Sequence, residues 1–277
     1  MAYLKQVTRT YDHLDILGLE MDQANFEPVA SRRGNPSYLW RFGQERRLDF
    51  IRPFLYKSDD LILDLGCGVG EYVRAIKLTG AECVGIDIER PRLLDATARD
   101  KLVDASDFTP ASYLLAASEA LPFEGESFDA VLMNEVIEHV QDDKETLREI
   151  YKILKPGGVC ILFAPNKGYP FETHGIWWRN KYIFGNIPVV NWLPARLRNK
   201  LVPHARVYGH LEFESLIQNL SFTILEHSYV FPGFDNIYRR SKALANVLRF
   251  VCYRLERTPL CRLGLSHFMV LQKAPKQ

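Results

Sequence analysis

The sequence predicts an α/β fold, a mostly parallel sheet with helices on both faces and an antiparallel last strand at its edge. Three observations carry this. The run Leu61-Ile62-Leu63-Asp64-Leu65 has the apolar density of a strand buried on both faces, stops in glycines at alternate positions (Gly66, Gly68, Gly70), and leads into a helical pattern. Strand and helix patterns then alternate as far as residue 165, the signature of parallel crossovers. A pair of strand patterns, 222–230 and 266–273, closes the chain.

Taken in order, residues 1–55 read as an N-terminal helical cap, with Trp40, Leu48, Ile51 and Phe54 on the apolar side of a helix ending near Pro53. Arg46 and Arg47 read as its solvated face. The core spans 56–165. After the first strand, 71–78 is a helix with Tyr72, Val73 and Ile76 on one side. Strands follow at 82–87, 112–116 and 127–133. Residues 144–154 place Leu147, Ile150, Tyr151 and Leu154 at i, i+3, i+4 and i+7, a one-sided helix. Lys155-Pro156-Gly157-Gly158 ends it, because proline cannot continue the turn and glycine suits the cap, and 159–164 is the fifth strand. Residues 166–209 change character and read as an inserted lid. Residues 210–277 return to the core with a helix at 212–220, the closing strand pair and a basic helical insertion at 235–263.

Composition is that of a soluble globular chain of 277 residues, 47% hydrophobic and 25% charged. The net charge is +1, but it is unevenly laid out. From Gly175 onward there are 15 Lys/Arg against 5 Asp/Glu; residues 1–174 hold 20 against 29. Such asymmetry points to an anionic partner or to compensation within the fold. Between Gly175 and Gly209 there is no acid, while six basic residues alternate with Trp177, Trp178, Tyr182, Phe184, Trp192 and other apolar groups. The 235–263 segment sets seven basic residues around a helical stripe of Leu244, Val247, Leu248, Val251 and Leu255. Basic and aromatic segments of this kind suit a membrane interface, and also a helix packed on its own domain. No apolar run reaches the ~20 residues of a spanning helix, so membrane contact is expected from the side only. Five cysteines without paired or zinc spacing, and an N-terminus without an apolar signal core, read as a reduced, cytoplasmic protein.

The chemistry sits at the strand ends. The glycine loop departs from the dinucleotide pattern, since Glu71 stands where a third glycine is needed, and no Gly-Lys-Ser/Thr follows for a phosphate loop. Asp64, two residues before the first glycine, repels pyrophosphate and suits a ligand carrying an ammonium or sulfonium group. Asp87 lies about 20 residues past the loop, where a ribose-binding carboxylate belongs. Glu135 and Glu138 lie at i and i+3, with His139 next to them. On a helical turn at the fourth strand's end, all three would face the mouth of the sheet.

Asp64-Leu65-Gly66-Cys67-Gly68-Val69-Gly70, Phe128-Asp129, Glu138-His139 and Leu154-Lys155-Pro156-Gly157-Gly158 together resemble the class I S-adenosylmethionine (SAM)-dependent methyltransferases, of the type 11 and ubiquinone-biosynthesis O-methyltransferase kind. The resemblance is strong over residues 60–165 and holds in pattern over 200–273. It implies a Rossmann-like seven-stranded sheet and SAM as cofactor. Asp64, Gly66, Cys67, Gly68 and Gly70 would hold its aminoacid part, Asp87 and Ile88 the ribose, and Ser118, Glu119 and Ala120 the adenine. Asn134 and Glu135 would lie beside it. An Arg of the N-terminal helix can meet the cofactor's carboxylate, with Arg46 and Arg47 as candidates. The string Glu135-x-x-Glu138-His139 is similar to a Mg²⁺ or Mn²⁺ motif, with His204 as a fourth ligand. In other relatives the histidine is a base or a hydrogen-bonding group beneath the cofactor, so His139 stands as catalytic base or metal ligand, with Glu138 beside it. His174 and His267 read as structural. The implied reaction is O-methylation of a small hydrophobic, glycan or lipid-linked acceptor. The alternatives are RNA 2′-O-methylation, against which the near-neutral charge speaks, and a non-catalytic SAM-binding partner subunit.

Overall fold

The computed structural model describes residues 40–55, 59–103 and 108–275; the part of the expected cap within residues 1–39 lies outside them. Helix α1 (Phe42–Ile51), continued by a 3₁₀ turn over Arg52–Phe54, precedes the sheet. Then come β1 (Leu61–Leu65), α2 (Glu71–Lys77), β2 (Glu82–Asp87), α3 (Arg90–Asp100), β3 (Ser112–Leu115), β4 (Phe128–Asn134), α4 (Asp143–Ile153) and β5 (Leu154–Pro165). A long excursion follows, with short strands β6 (Phe171–Glu172), β7 (Ile176–Trp178), β8 (Lys181–Ile183) and β9 (Ile187–Pro188), and helix α5 (Ala195–Leu201). The chain ends with α6 (His210–Ser215), β10 (Phe222–Val230), α7 (Asp235–Tyr238), α8 (Lys242–Leu255) and β11 (Ser266–Lys273).

The main sheet has seven strands in the order β10-β11-β5-β4-β1-β2-β3. Only β11 runs against its neighbours. The strand order reverses between β1 and β4, so the loops leaving their carboxyl ends part there and open the crevice that ligands of such sheets use. Alternation along each strand fills both faces. Leu63, Leu65, Val131 and Met133 pack with Leu147, Ile150 and Ile153 of α4 on one side. Ile62, Ala130, Leu132 and Phe163 pack with Leu48 and Ile51 of α1 and Val73 and Ile76 of α2 on the other.

Two elements differ from the sequence expectation by more than a residue. Strand β5 starts at Leu154 rather than 159, because Leu154 pairs with Phe128 and the Pro-Gly-Gly stretch is absorbed as an irregularity in that pairing. Helix α6 starts two residues early, where Glu212 Oε2 accepts from the Gly209 amide at 3.3 Å, and ends at Ser215 in a run of turns.

The excursion builds a small core of its own on Val190, Val202 and Ala205. A buried ion pair, Arg198 to Glu172 at 2.6 Å, ties its halves together, and Arg198 also donates to the Ala205 carbonyl at 2.8 Å. Helix α8 is held by its polar side: Arg249 donates to the Gly233 carbonyl and lies 3.8 Å over the Phe42 ring, and Tyr253 sits under Arg46. Its apolar stripe therefore points outward. Leu244, Val247, Phe250 and Val251 are each about half exposed or more, and only Ala245 is buried. No helix among the described residues is long and apolar enough to cross a membrane.

Candidate active site

The glycine loop turns where side chains would collide. Gly66 and Gly70 have φ of +77° and +79°, and a Cβ on Gly66 would stand 2.4 Å from a Val136 methyl, one on Gly70 2.4 Å from the Tyr113 hydroxyl. The amides of Gly66 and Cys67 both donate to the Ile86 carbonyl. Beneath the loop, Arg74 donates to the Val69 carbonyl at 2.8 Å and pairs with Asp100 and Glu71, while Tyr113 donates to Asp100. This buried bracket is absent from the sequence reading, because Arg74 looks like any helix-face arginine.

Asp64 is buried at the end of β1, and its Oδ2 has no hydrogen-bond partner. Burial, with Asp87 next, pushes its carboxyl up to about 7. Asp87 is buried beside it. One of its oxygens accepts from the Gly68 amide at 2.9 Å and the other from the Glu89 amide at 2.8 Å, each with a lone pair left for a ligand. Ile88 is exposed at the rim. Ser118 and Glu119 are engaged with each other at 3.1 Å, and Glu119 accepts from the Gln141 amide at 2.7 Å, which ties this turn to the start of α4. Burial alone would raise the Glu119 carboxyl; these hydrogen bonds bring it below its ordinary value. Ala120 is exposed next to them.

At the end of β4, the solvated-face reading of the N-terminal arginines is overturned. Arg47 reaches, partly buried, into the sheet's mouth, where it donates to Asn134 Oδ1, to Glu135 Oε1 at 2.6 Å and to Ser266 Oγ at 2.9 Å. Arg46 pairs with Glu256 at 2.5 Å. Glu135, at φ +56°, is thereby committed to Arg47 and Ser266. Burial would raise its carboxyl, and the Arg47 charge outweighs this and holds it low.

The expected metal set of Glu135, Glu138, His139 and His204 is not brought together. Glu135 faces Arg47. The His204 ring turns to the His174 carbonyl at 3.2 Å, and it is the His204 backbone carbonyl that meets His139 Nδ1 at 3.0 Å. What converges is Glu138, His139 and His174, with donor atoms within 4.8 Å of one another. Glu138 is buried, neither of its oxygens has a hydrogen bond, and Nε2 of both histidines stands 3.8 Å from its Oε1. Burial lifts the Glu138 carboxyl above its usual range. His174 comes from the excursion, aimed by Glu172 at 2.9 Å. Burial disfavours its charge, but Glu138 and Glu172 outweigh that and raise it to about 10. Because a carbonyl can only accept, the His139 contact sets the tautomer of the neutral ring, with the proton on Nδ1 and the lone pair on Nε2. Arg206 clamps the turn that carries these groups, bonding the carbonyls of Val140 and Gln141 and, through its own amide, that of Glu138.

A family described as a methyltransferase domain matches residues 63–162. The chain is 31% identical over 237 residues to the ubiquinone biosynthesis O-methyltransferase of Bartonella tribocorum, covering 83% of this chain and 89% of that protein. The chain belongs to the class I SAM-dependent methyltransferases. The Mesorhizobium japonicum ubiquinone biosynthesis O-methyltransferase is 28% identical over 205 residues, 74% of each chain. Among solved structures, a SAM-dependent methyltransferase from Mesorhizobium loti superposes with a TM-score of 0.56 at 19% identity, covering 81% of this chain and 96% of that one. The [4+2]-cyclase SpnF superposes at 0.57 and 16%, covering 86% and 84%. At these identities the likeness is one of fold. The methyltransferase uses SAM as its cofactor, and the orphaned Asp64 carboxylate, beside a loop where Gly66 and Gly70 have no room for a Cβ, fits that group's ammonium.

Proposed function

We propose that this methyltransferase methylates a hydroxyl of a hydrophobic or lipid-linked acceptor, with His139 as general base. The observation that carries the reading is the free Nε2 of His139 facing buried Glu138. SAM supplies an activated methyl group, so the protein has to hold the acceptor in line and take its proton. His139 Nε2 accepts that proton, the His204 carbonyl keeps the ring in the right tautomer, and Glu138 stabilises the imidazolium. Asp64 binds the cofactor's ammonium, Asp87 and the rim at Ile88 the ribose, and the Ser118–Ala120 turn the adenine. Arg47 is spent on Asn134 and Glu135, so its role is to position the β4 end rather than to hold the cofactor's carboxylate. The excursion 166–209 acts as the acceptor lid and delivers His174.

Were a divalent ion bound, Glu138, His139 and His174 would hold it, in place of the base role of His139, and it would polarise the acceptor oxygen. One carboxylate and two imidazoles suit Mn²⁺ better than Mg²⁺, which keeps oxygen ligands. Acceptor class is supported by the outward stripe of α8 and the exposed Trp177, Trp178 and Trp192 of the lid, apolar groups set among basic ones. Such surfaces fit an anionic bilayer, from which a lipid-borne acceptor would enter. Two relatives named for ubiquinone biosynthesis agree with an apolar acceptor.

The test is transfer of tritiated methyl from SAM into membrane extract. We expect organic-phase product, lowered about 10²–10⁴-fold in His139→Ala with SAM affinity intact. Label confined to the aqueous phase, or full turnover by the variant, would contradict the proposal.

A further inference from the structure

A second cluster of ligating side chains lies at the far edge of the sheet, outside the crevice. His210 and Glu214 stand one turn apart on α6, and His227 on edge strand β10 faces them. Their donor atoms lie within 4.8 Å of one another. His227 Nδ1 is 2.8 Å and His210 Nε2 3.5 Å from the same oxygen, Glu214 Oε1, and the two rings stack at 4.2 Å.

Hydrogen-bond direction shows what this arrangement lacks. His267 Nε2 lies 2.8 Å from the Tyr208 carbonyl, which only accepts, so that nitrogen carries the proton and neutral His267 has a bare Nδ1. His227 Nε2 lies 3.0 Å from that Nδ1 and must therefore be the donor. The neutral His227 then presents its Nδ1 lone pair to the Glu214 carboxylate. Two acceptors facing each other at 2.8 Å need a cation between them. On the other side Tyr229 Oη sits 3.0 Å from His210 Nδ1 and can take its proton, leaving Nε2 free. Each histidine thus has its outer nitrogen occupied by a protein group and its inner nitrogen turned to one carboxylate, the arrangement that orients imidazoles on a metal. The two nitrogens stand 2.8 and 3.5 Å from Glu214 Oε1, near the about 3.3 Å ligand spacing of a tetrahedron with bonds of about 2.0 Å, and the stacked rings must turn apart to aim their in-plane lone pairs at one ion.

We infer that His210, Glu214 and His227 form a binding site for a divalent transition ion, with Zn²⁺ the ion their two imidazoles and one carboxylate suit best. Bound there, the ion clamps α6 to β10 and fixes the edge of the sheet. The alternative occupant is a proton, which would make His227 an imidazolium paired with Glu214.

Equilibrium dialysis of the full chain against Zn²⁺ separates the two. The wild-type chain should bind an equivalent that persists in His139→Ala, which removes a ligand from the crevice cluster. Glu214→Gln and His227→Gln should each lose that equivalent, with affinity down at least about 100-fold, and Zn²⁺ should raise the melting temperature of the wild-type chain but not of Glu214→Gln. Glu214→Gln is isosteric and at a partly exposed position, so it decides the matter if His227→Gln does not fold. Equal binding by Glu214→Gln and the wild-type chain, or a wild-type chain whose only Zn²⁺ disappears in His139→Ala, would overturn the inference in favour of the proton.

Discussion

Asp64→Asn removes one buried negative charge and almost no volume, and its two consequences have opposite signs. Burial and Asp87 lift this carboxyl from 3.8 to about 7, a shift of about 3 units, or about 4 kcal/mol. Between those two values the folded chain keeps a proton that the unfolded chain has lost. Stability therefore falls as pH climbs through that window and stays at its lowest above pH 7. Asparagine abolishes this cost but brings a buried amide of its own, worth about 1–3 kcal/mol if unpaired. The ligand-free variant should then be about 1–3 kcal/mol more stable than the wild-type chain at pH 8 and show no gain at pH 4. The same substitution removes the counter-charge for the SAM ammonium, and we expect a loss of about 3 kcal/mol, about 100-fold in Kd. Wild-type SAM affinity should itself weaken about tenfold per pH unit below 7, where Asp64 takes up its proton. Denaturant melts at the two pH values and titration calorimetry with SAM read both effects. A variant destabilised at pH 8 would show that Asp64 carries no burial cost, and one that binds SAM as the wild-type chain does would remove Asp64 as the ammonium's counter-charge.

Three further outcomes follow from the geometry. Turnover should survive EDTA, since the base is His139 itself; loss of activity restored by Mn²⁺ would convert Glu138, His139 and His174 into a metal site. Arg198→Met removes one of the two cationic partners of the buried Glu172 carboxylate and leaves it to His174, a loss of about 1.5–3 kcal/mol, so amide exchange in residues 172–205 should quicken by about 10- to 100-fold while the sheet exchanges as before; unchanged protection there would remove the ion pair as the lid's anchor. The wild-type chain should float with vesicles containing anionic lipid and not with neutral ones, and Val247→Glu/Phe250→Glu should abolish flotation; equal flotation by the variant, or none by the wild-type chain, would refute membrane contact through α8.

What the sequence disclosed is what short-range chemistry dictates. The glycine spacing from Gly66 to Gly70, the carboxylates at Asp64 and Asp87 and the Leu147–Ile150 face are local patterns, and the sheet follows from them together with the connection rules. Contacts made across the fold stayed hidden. His174 looked structural because nothing near it in the chain announces Glu138; the lid delivers it there through Glu172 and Arg198. Arg47 carries the same charge as any surface arginine, and only the packing of α1 on the sheet turns it to Glu135. His204 stood at the right place for the wrong reason, since its carbonyl rather than its ring touches His139. On α8 the periodicity of Leu244, Val247 and Val251 marked an amphipathic helix, but periodicity does not say which side meets the domain, and Arg249 and Tyr253 decide that.

The most direct test of the proposed chemistry is a crystal structure with S-adenosylhomocysteine and a hydroxyl-bearing acceptor analogue. The ligand's ammonium should lie about 3 Å from Asp64 Oδ2 and the acceptor hydroxyl about 3 Å from His139 Nε2, under the lid that carries His174. An acceptor hydroxyl directed away from His139, with another side chain in reach of its proton, would contradict the proposed chemistry.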